Sequence, residues 1–211
     1  MDAKQITIKT LGLSIAAVLA VEAVVRGTSL GSSLAALGGA RLLQIALMLR
    51  IVMLSAGGVA SIGLERAEWF HGLRRGALWS LAFGAVALCA WFALHMAGVD
   101  FLAMIRMGLP QEAQTLVLLF LVGGIIAPVA EEIFFRGLIY GFFRRWGVAP
   151  ALLMSTLLFV LPHAPGRGLP VTQIVGGFIF ALSYEREGNL LVPITIHVLG
   201  NLAIFAISAL L

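Results

Sequence analysis

The chain has 211 residues, 61% of them hydrophobic and only 11% charged, with a mean hydropathy of +1.05. A soluble domain carries about one-quarter charged residues, so this composition excludes a water-soluble globule and points to a polytopic membrane protein. The net charge of +4 is spread over short connections between apolar stretches, which excludes a nucleic-acid partner, and a single cysteine, Cys89, excludes an intramolecular disulfide.

A spanning helix needs about 20 apolar residues, fewer where protein covers its ends. In chain order this predicts seven segments: 6–25, 41–62, 77–99, 115–143, 150–163, 171–184 and 190–211. The expected fold is all-α, one polytopic transmembrane domain over 1–211. It is a helical bundle of about seven to eight helices, with short broken helices around a mid-membrane polar cavity. Lys4 and Lys9 precede the first segment, and Ala-Val-Leu-Ala-Val-Glu-Ala within it resembles a leader cleavage site. The segment is expected to stay attached as the first spanning helix. Glu22 and Arg50 fall inside the first two segments and are expected to pair across them; the alternative is that one of them lines a substrate path. The string Gly27-Thr-Ser-Leu-Gly31 matches a serine-hydrolase elbow but lacks the strand–turn–helix context that gives it meaning.

Residues 65–75, with Trp69, Phe70 and several arginines, read equally as an amphipathic stretch along the membrane surface or as a charged loop with an aromatic anchor. His71 and His95 have no motif around them. With seven crossings, one side collects Lys4, Lys9, Arg66, Arg74, Arg75, Arg144, Arg145 and Arg186, and the other Arg26, Arg41, Arg106 and Arg167. The positive-inside rule then puts the N-terminus in the cytoplasm. The Pro- and Gly-rich stretch 165–170 is expected to be an irregular loop beside a cavity. Gly123, Gly124, Gly176, Gly177 and Gly200 read as positions of close helix packing.

Three polar strings interrupt the apolar second half: Glu131-Glu132-Ile-Phe-Phe-Arg136, Phe159-Val-Leu-Pro-His163 and His197-Val-Leu-Gly-Asn201. Ionisable groups at membrane depth are costly and are kept where they act, and carboxylates with imidazoles are the groups that move protons around a water molecule. At 1.5 Å per residue from the cytoplasmic face, Glu131 falls at ~18 Å, His163 at ~20 Å, His197 at ~10 Å and Asn201 at ~16 Å, one mid-membrane slab. Glu132 and Arg136 stand four apart with the acid first, the favoured order for a pair, which leaves Glu131 about 100° round the helix and free to act. His197 and Asn201 share a face by the same spacing. Pro162 restricts the backbone before His163, which suits a histidine held at a helix end.

The set Glu-Glu-x-x-x-Arg, Phe-x-x-x-His, His-x-x-x-Asn, in that order on successive apolar segments, resembles the CPBP family of intramembrane proteases, which comprises CAAX prenyl protease type 2 and bacteriocin-processing or self-immunity proteins. The resemblance covers about residues 115–205, a CPBP-like catalytic core, and leaves 1–114 as variable N-terminal helices. It implies that Glu131 and His163 activate a water, that His197 and Asn201 stabilise the oxyanion, and that Glu132 and Arg136 support them. It implies an endopeptidase acting on a membrane-tethered, lipidated or small secreted substrate near its C-terminus or leader, with membrane lipid around it and a bacterial inner membrane as its home. A zinc ion on Glu131, His163 and His197 is the alternative to a metal-free mechanism. The lack of His-Glu-x-x-His, and asparagine's weakness as a zinc ligand, favour no cofactor. The rival functions are a non-catalytic immunity or regulatory protein and a proton-coupled transporter; the absence of two similar halves argues against the transporter.

Overall fold

The computed structural model describes residues 6–28, 31, 33–100, 102, 105–163 and 170–210. Within them every regular element is helical, and seven long helices make up the bundle. They are α1 (Ile8–Gly27), α2 (Leu34–Met53), α3 (Trp69–Met96), α4 (Ala113–Trp146), α5 (Val148–His163), α6 (Val171–Glu187) and α7 (Leu191–Leu210). Five of them, α1, α2, α3 with its preceding turn, α4 and α7, are long and apolar enough to cross a membrane. The shorter α5 and α6 pack against one another and against the second half of α4.

Local chemistry sets the ends. Thr7 caps α1, its hydroxyl accepting the Thr10 N–H at 3.1 Å, and Ser33 caps α2 through the Ala36 N–H. α2 therefore starts at Leu34 rather than 41 and stops at Met53 rather than 62. The chain turns over residues 54–57, and residues Gly58–Ile62, opening on Gly58 at φ +55°, form a separate short 3-10 turn that ends on Gly63 at φ +67°. α3 starts at Trp69, well before residue 77. Residues 65–75 are accordingly neither a surface helix of their own nor a loop. They are a short 3-10 turn, Arg66–Glu68, running into the first turns of α3. Gly188, left-handed at φ +64°, caps α6 and lets the chain reverse into α7.

The core lies where α4 is enclosed. Residues 135–140 of α4 are buried on every side, with Tyr140, Leu138 and Arg136 fully so, against Ile62, Phe159, Tyr184 and Leu190. α3 is the opposite case: its buried residues are Gly72 and Gly76, and Leu81, Val86, Leu88, Phe92 and Met96 point outward, as lipid-facing side chains do. Gly76 lets α3 lie against α7, since a Cβ there would stand 2.5 Å from Thr195 Cβ. Gly124 does the same for α4 and α7, at 2.7 Å from Leu202 Cδ2. Gly200 has nothing within 4 Å of its would-be Cβ, so it is not a packing position.

One end of the bundle is tied by backbone and ion-pair contacts. Arg145 donates to the Ile6 carbonyl, Leu190 N–H to the Gly63 carbonyl at 3.0 Å, and the Asn189 amide to the Glu68 carbonyl at 3.0 Å. Arg144 grips Glu185 through two hydrogen bonds of 2.9 Å, and Arg75 grips Glu187 through two of 2.9 and 2.6 Å. This end carries Lys9, Arg66, Arg74, Arg75, Arg144, Arg145 and Arg186. Towards the opposite end Glu22 bonds Arg41 and, at 3.0 Å, Gln44, with Arg26 at 3.9 Å. Glu22 thus does not pair with Arg50, which is exposed on the last turn of α2. The antiparallel packing of α1 and α2 sets the late turns of α1 beside the early turns of α2, where Arg41 stands. The expected loop 165–170 lies outside the described residues apart from Pro170, as do Lys4, Arg167 and part of the Gly27–Gly31 string.

Candidate active site

Glu131 and Glu132 close a short α-helical stretch of α4, Ala127–Glu132, set between two widened π segments, Val122–Ile126 and Ile133–Tyr140. Pro128 explains the first: it has no N–H to donate and its ring crowds the carbonyl four residues back, and a π turn removes both conflicts. Such widened turns recur at functional sites because they turn side chains and carbonyls out of the regular ladder.

Glu132 and Arg136 form the buried pair that their spacing predicts, Oε1 to Nη1 at 3.0 Å with both side chains fully enclosed. The guanidinium also donates from Nη2 to the Gly177 carbonyl at 3.0 Å. Its central carbon lies 4.6 Å from the centre of the Phe159 ring and 5.2 Å from that of Phe180. Gly177 makes this reach possible, since a Cβ there would press on Thr156 and Phe159 at 3.1 and 3.2 Å.

Glu132 also does something that its spacing to Arg136 does not reveal. The same Oε1 is 2.7 Å from Nδ1 of His197, 65 residues further on. A carboxylate held by an arginine only accepts, so the proton is assigned to Nδ1 and the lone pair to Nε2. That Nε2 lies 3.8 Å from Oε2 of Glu131, whose side chain is 22% exposed. The gap is too long for a direct hydrogen bond, yet two atoms so spaced can both reach a single oxygen at normal hydrogen-bond length. Phe180 stacks on the His197 ring, centres 4.6 Å apart and planes 20° apart.

His163 ends α5. Its Nδ1 lies 2.7 Å from the Phe159 carbonyl, which again assigns the proton to Nδ1 and leaves Nε2 open. Both imidazoles lie against the ring of Phe159, His163 at 4.8 Å and His197 at 5.8 Å between centres. Glu131 makes its ion-pair contact with His197 and not with His163. Asn201, one turn beyond His197, donates from Nδ2 to the Gly123 carbonyl in the first π segment at 2.9 Å, which joins α7 to α4 and leaves its second amide hydrogen open. The chain thus brings Glu131, Glu132, Arg136 and His197 into direct contact, with His163 and Asn201 at the margins. Phe180 and the carbonyls of Gly123 and Gly177 were not legible as site groups, although the glycines had been marked for close packing.

Among the described residues no three His, Cys, Asp or Glu side chains are grouped as a metal ion requires, so Glu131, His163 and His197 do not form a ligand set in this geometry. Two surface cavities, of about 600 and 260 Å³, lie at the opposite ends of the bundle, around Arg106–Gln111 with Ser208 and around Ile6–Thr10 with Ser55–Ser61.

Residues 113–203, from the first residue of α4 to the middle of α7, match the family model of Rce1-like, type II CAAX prenyl endopeptidases. The second half of this chain is thus similar to Rce1-like endopeptidases. It is 34% identical over 89 residues to the "Putative membrane peptidase YdiL" of Bacillus subtilis, a match covering 42% of this chain and 36% of that protein. It is 32% identical over 94 residues to an "Uncharacterized 24.3 kDa protein" of Escherichia coli, covering 42% of each. With the "UPF0177 protein YxdF" of Lactococcus lactis the identity is 32% over 79 residues, 37% of this chain and 44% of that one. The matched region thus spans less than half the length of each of these relatives. No solved structure matches the chain. Five helices apolar and long enough to cross a membrane, and a second half similar to membrane peptidases, together make this a membrane protein.

Proposed function

We propose that the protein is an intramembrane endopeptidase in which Glu131 and His197 hold one water molecule and split it. The observation that carries this reading is the 3.8 Å separation of Glu131 Oε2 and His197 Nε2, with His197 oriented from behind by the Arg136-paired Glu132. The water gives its proton to the Glu131–His197 pair, and its oxygen attacks the scissile carbonyl carbon. Protonated His197 is stabilised by Glu132 and offers an N–H to the developing oxyanion, together with the open amide hydrogen of Asn201. His163, its Nδ1 locked on a backbone carbonyl, assists Glu131 as the motif resemblance implies. Collapse of the tetrahedral intermediate breaks the C–N bond, and the shared proton passes to the leaving nitrogen.

The substrate is a peptide on an apolar or lipidated segment that reaches the site from the bilayer, cut near its C-terminus or leader. The family's description as a prenyl endopeptidase and the lipid-facing surface of the bundle support this class. The basic end of the bundle supports a cytoplasmic N-terminus in a bacterial inner membrane.

The test compares membrane proteomes of a strain carrying the wild-type chain, one lacking it and one carrying Glu131→Gln, with peptide mapping of new termini. A fragment present only with the wild-type chain, while Glu131→Gln accumulates in the membrane normally, is the expected result. Cleavage at the wild-type level by Glu131→Gln would rule the mechanism out. Glu131-dependent ion flux in liposomes without any peptide cut would favour a transporter instead.

A further inference from the structure

Glu132 alone does not fix His197. A hydrogen bond tolerates tens of degrees of bending, and the torsion that swings a histidine ring about Cβ–Cγ is broad. The bond from Nδ1 therefore leaves the position of Nε2 loosely defined, and Nε2 is the atom that must meet the water beside Glu131. A second constraint on the plane of the ring is needed, and the structure contains one. Phe180, on α6 and only 7% exposed, lies face to face with the imidazole at 4.6 Å and 20°. The same ring stands 5.2 Å from the Arg136 guanidinium carbon, so one flat side chain contacts both groups that share Oε1 of Glu132. Phe159 meets His197 at 83°, with ring centres 5.8 Å apart, and packs in turn against Phe180 at 6.2 Å.

We propose that Phe180 is a positioning residue that holds the His197 imidazole in the plane that keeps Nε2 turned toward Glu131. This rests on the peptidase reading above. Phe180 touches no reacting atom; it acts through His197. The alternative role, ordinary core filling, needs only an apolar side chain of similar size, and that difference makes the two separable.

Phe180→Leu keeps an apolar side chain in the core but removes the plate, whereas Phe180→Tyr keeps the plate. Two measurements follow on protein purified in detergent. In the first, NMR of labelled histidine nitrogens is read for His197, assigned by its loss in His197→Gln. The wild-type chain and Phe180→Tyr are expected to show one sharp Nδ1–H form, and Phe180→Leu an exchange-broadened or mixed signal. In the second, the Glu131-dependent cleavage found above is followed at several substrate concentrations. Phe180→Leu is expected to lower kcat about ten-fold, with KM within about two-fold of wild type and recovery in Phe180→Tyr. An unchanged His197 signal together with unchanged kcat in a folded Phe180→Leu protein would overturn the proposal. If no Glu131-dependent cleavage exists, the peptidase reading fails, and the nitrogen spectra still decide whether Phe180 sets the ring.

Discussion

One oxygen, Oε1 of Glu132, accepts from both Arg136 and His197, and much of the site's behaviour follows from that. Removing one member of a fully buried pair leaves an uncompensated charge, which costs about 3–5 kcal/mol, whereas apolar replacement of both members is often close to neutral. Arg136→Met alone is therefore expected to lower the unfolding temperature in detergent strongly, and Glu132→Gln with Arg136→Met together to restore part of the loss. Both proteins should lose activity, because in the single variant Glu132 has lost the cation that holds it against His197, and in the double variant His197 has lost the negative charge that stabilises its protonated form. Thermal unfolding followed by tryptophan fluorescence checks the order; equal stability of the single and double variants would contradict it. The Glu132–Arg136 pair was legible because both partners lie on one helix, four residues apart. The Glu132–His197 bond was not, because its partners are 65 residues apart and only tertiary packing joins them. Glu22 shows the same limit: a charge inside one apolar helix announces that it needs a partner, but the register between α1 and α2 selects Arg41 over Arg50.

At the level of elements, glycines decide which helices can approach. In α3, Gly76 lies against Thr195 and the Val192 carbonyl, at 2.5 and 3.0 Å from its would-be Cβ, while Gly84 two turns later has open space. Gly76→Ala must push α7 away from α3 and is expected to cost about 1–3 kcal/mol. Gly84→Ala, in an open helix interior, should gain up to about 1 kcal/mol. Urea or thermal unfolding of the two variants side by side tests this, and a loss at Gly84 as large as at Gly76 would contradict it. Hydropathy located all seven helices, since each is an apolar run bounded by polar or Gly/Pro residues. It misplaced the ends of α2 and α3 for two reasons. Residues 54–62 are apolar enough to extend a helix, yet the chain leaves α2 at Met53 and re-forms only a 3-10 turn from Gly58, at φ +55°; Trp69–Arg75 is charged enough to look like a surface stretch, yet it lies within α3. The π segments of α4 leave no hydropathy signature, and Pro128 is their one visible cue.

For the whole molecule, the basic end is a clasp. α6 is held to α3 by Arg75 and Glu187, and to α4 by Arg144 and Glu185. The hydrogen bonds from Arg75, and from Trp79 beside it, keep the Glu187 carboxyl below its ordinary value of 4.5 despite partial burial. The unfolded chain then takes up this proton at a higher pH than the folded one. The clasp contributes its full stabilisation above about pH 4.5 and loses it as the pH falls further. Glu187→Gln should flatten the acid limb of a stability-against-pH curve measured in detergent; an identical acid limb would show that the clasp contributes nothing. These contacts tie three helices, α3, α4 and α6, together at this end. The central claim, however, concerns a single oxygen atom at the other end of the Glu132 network. One turnover of the Glu131-dependent substrate in heavy-oxygen water reads it directly. The account predicts one heavy oxygen in the new C-terminal carboxylate of the product at the first turnover, and no product at all from Glu131→Gln. A first-turnover product carrying ordinary oxygen, transferred from an enzyme carboxylate, would contradict it.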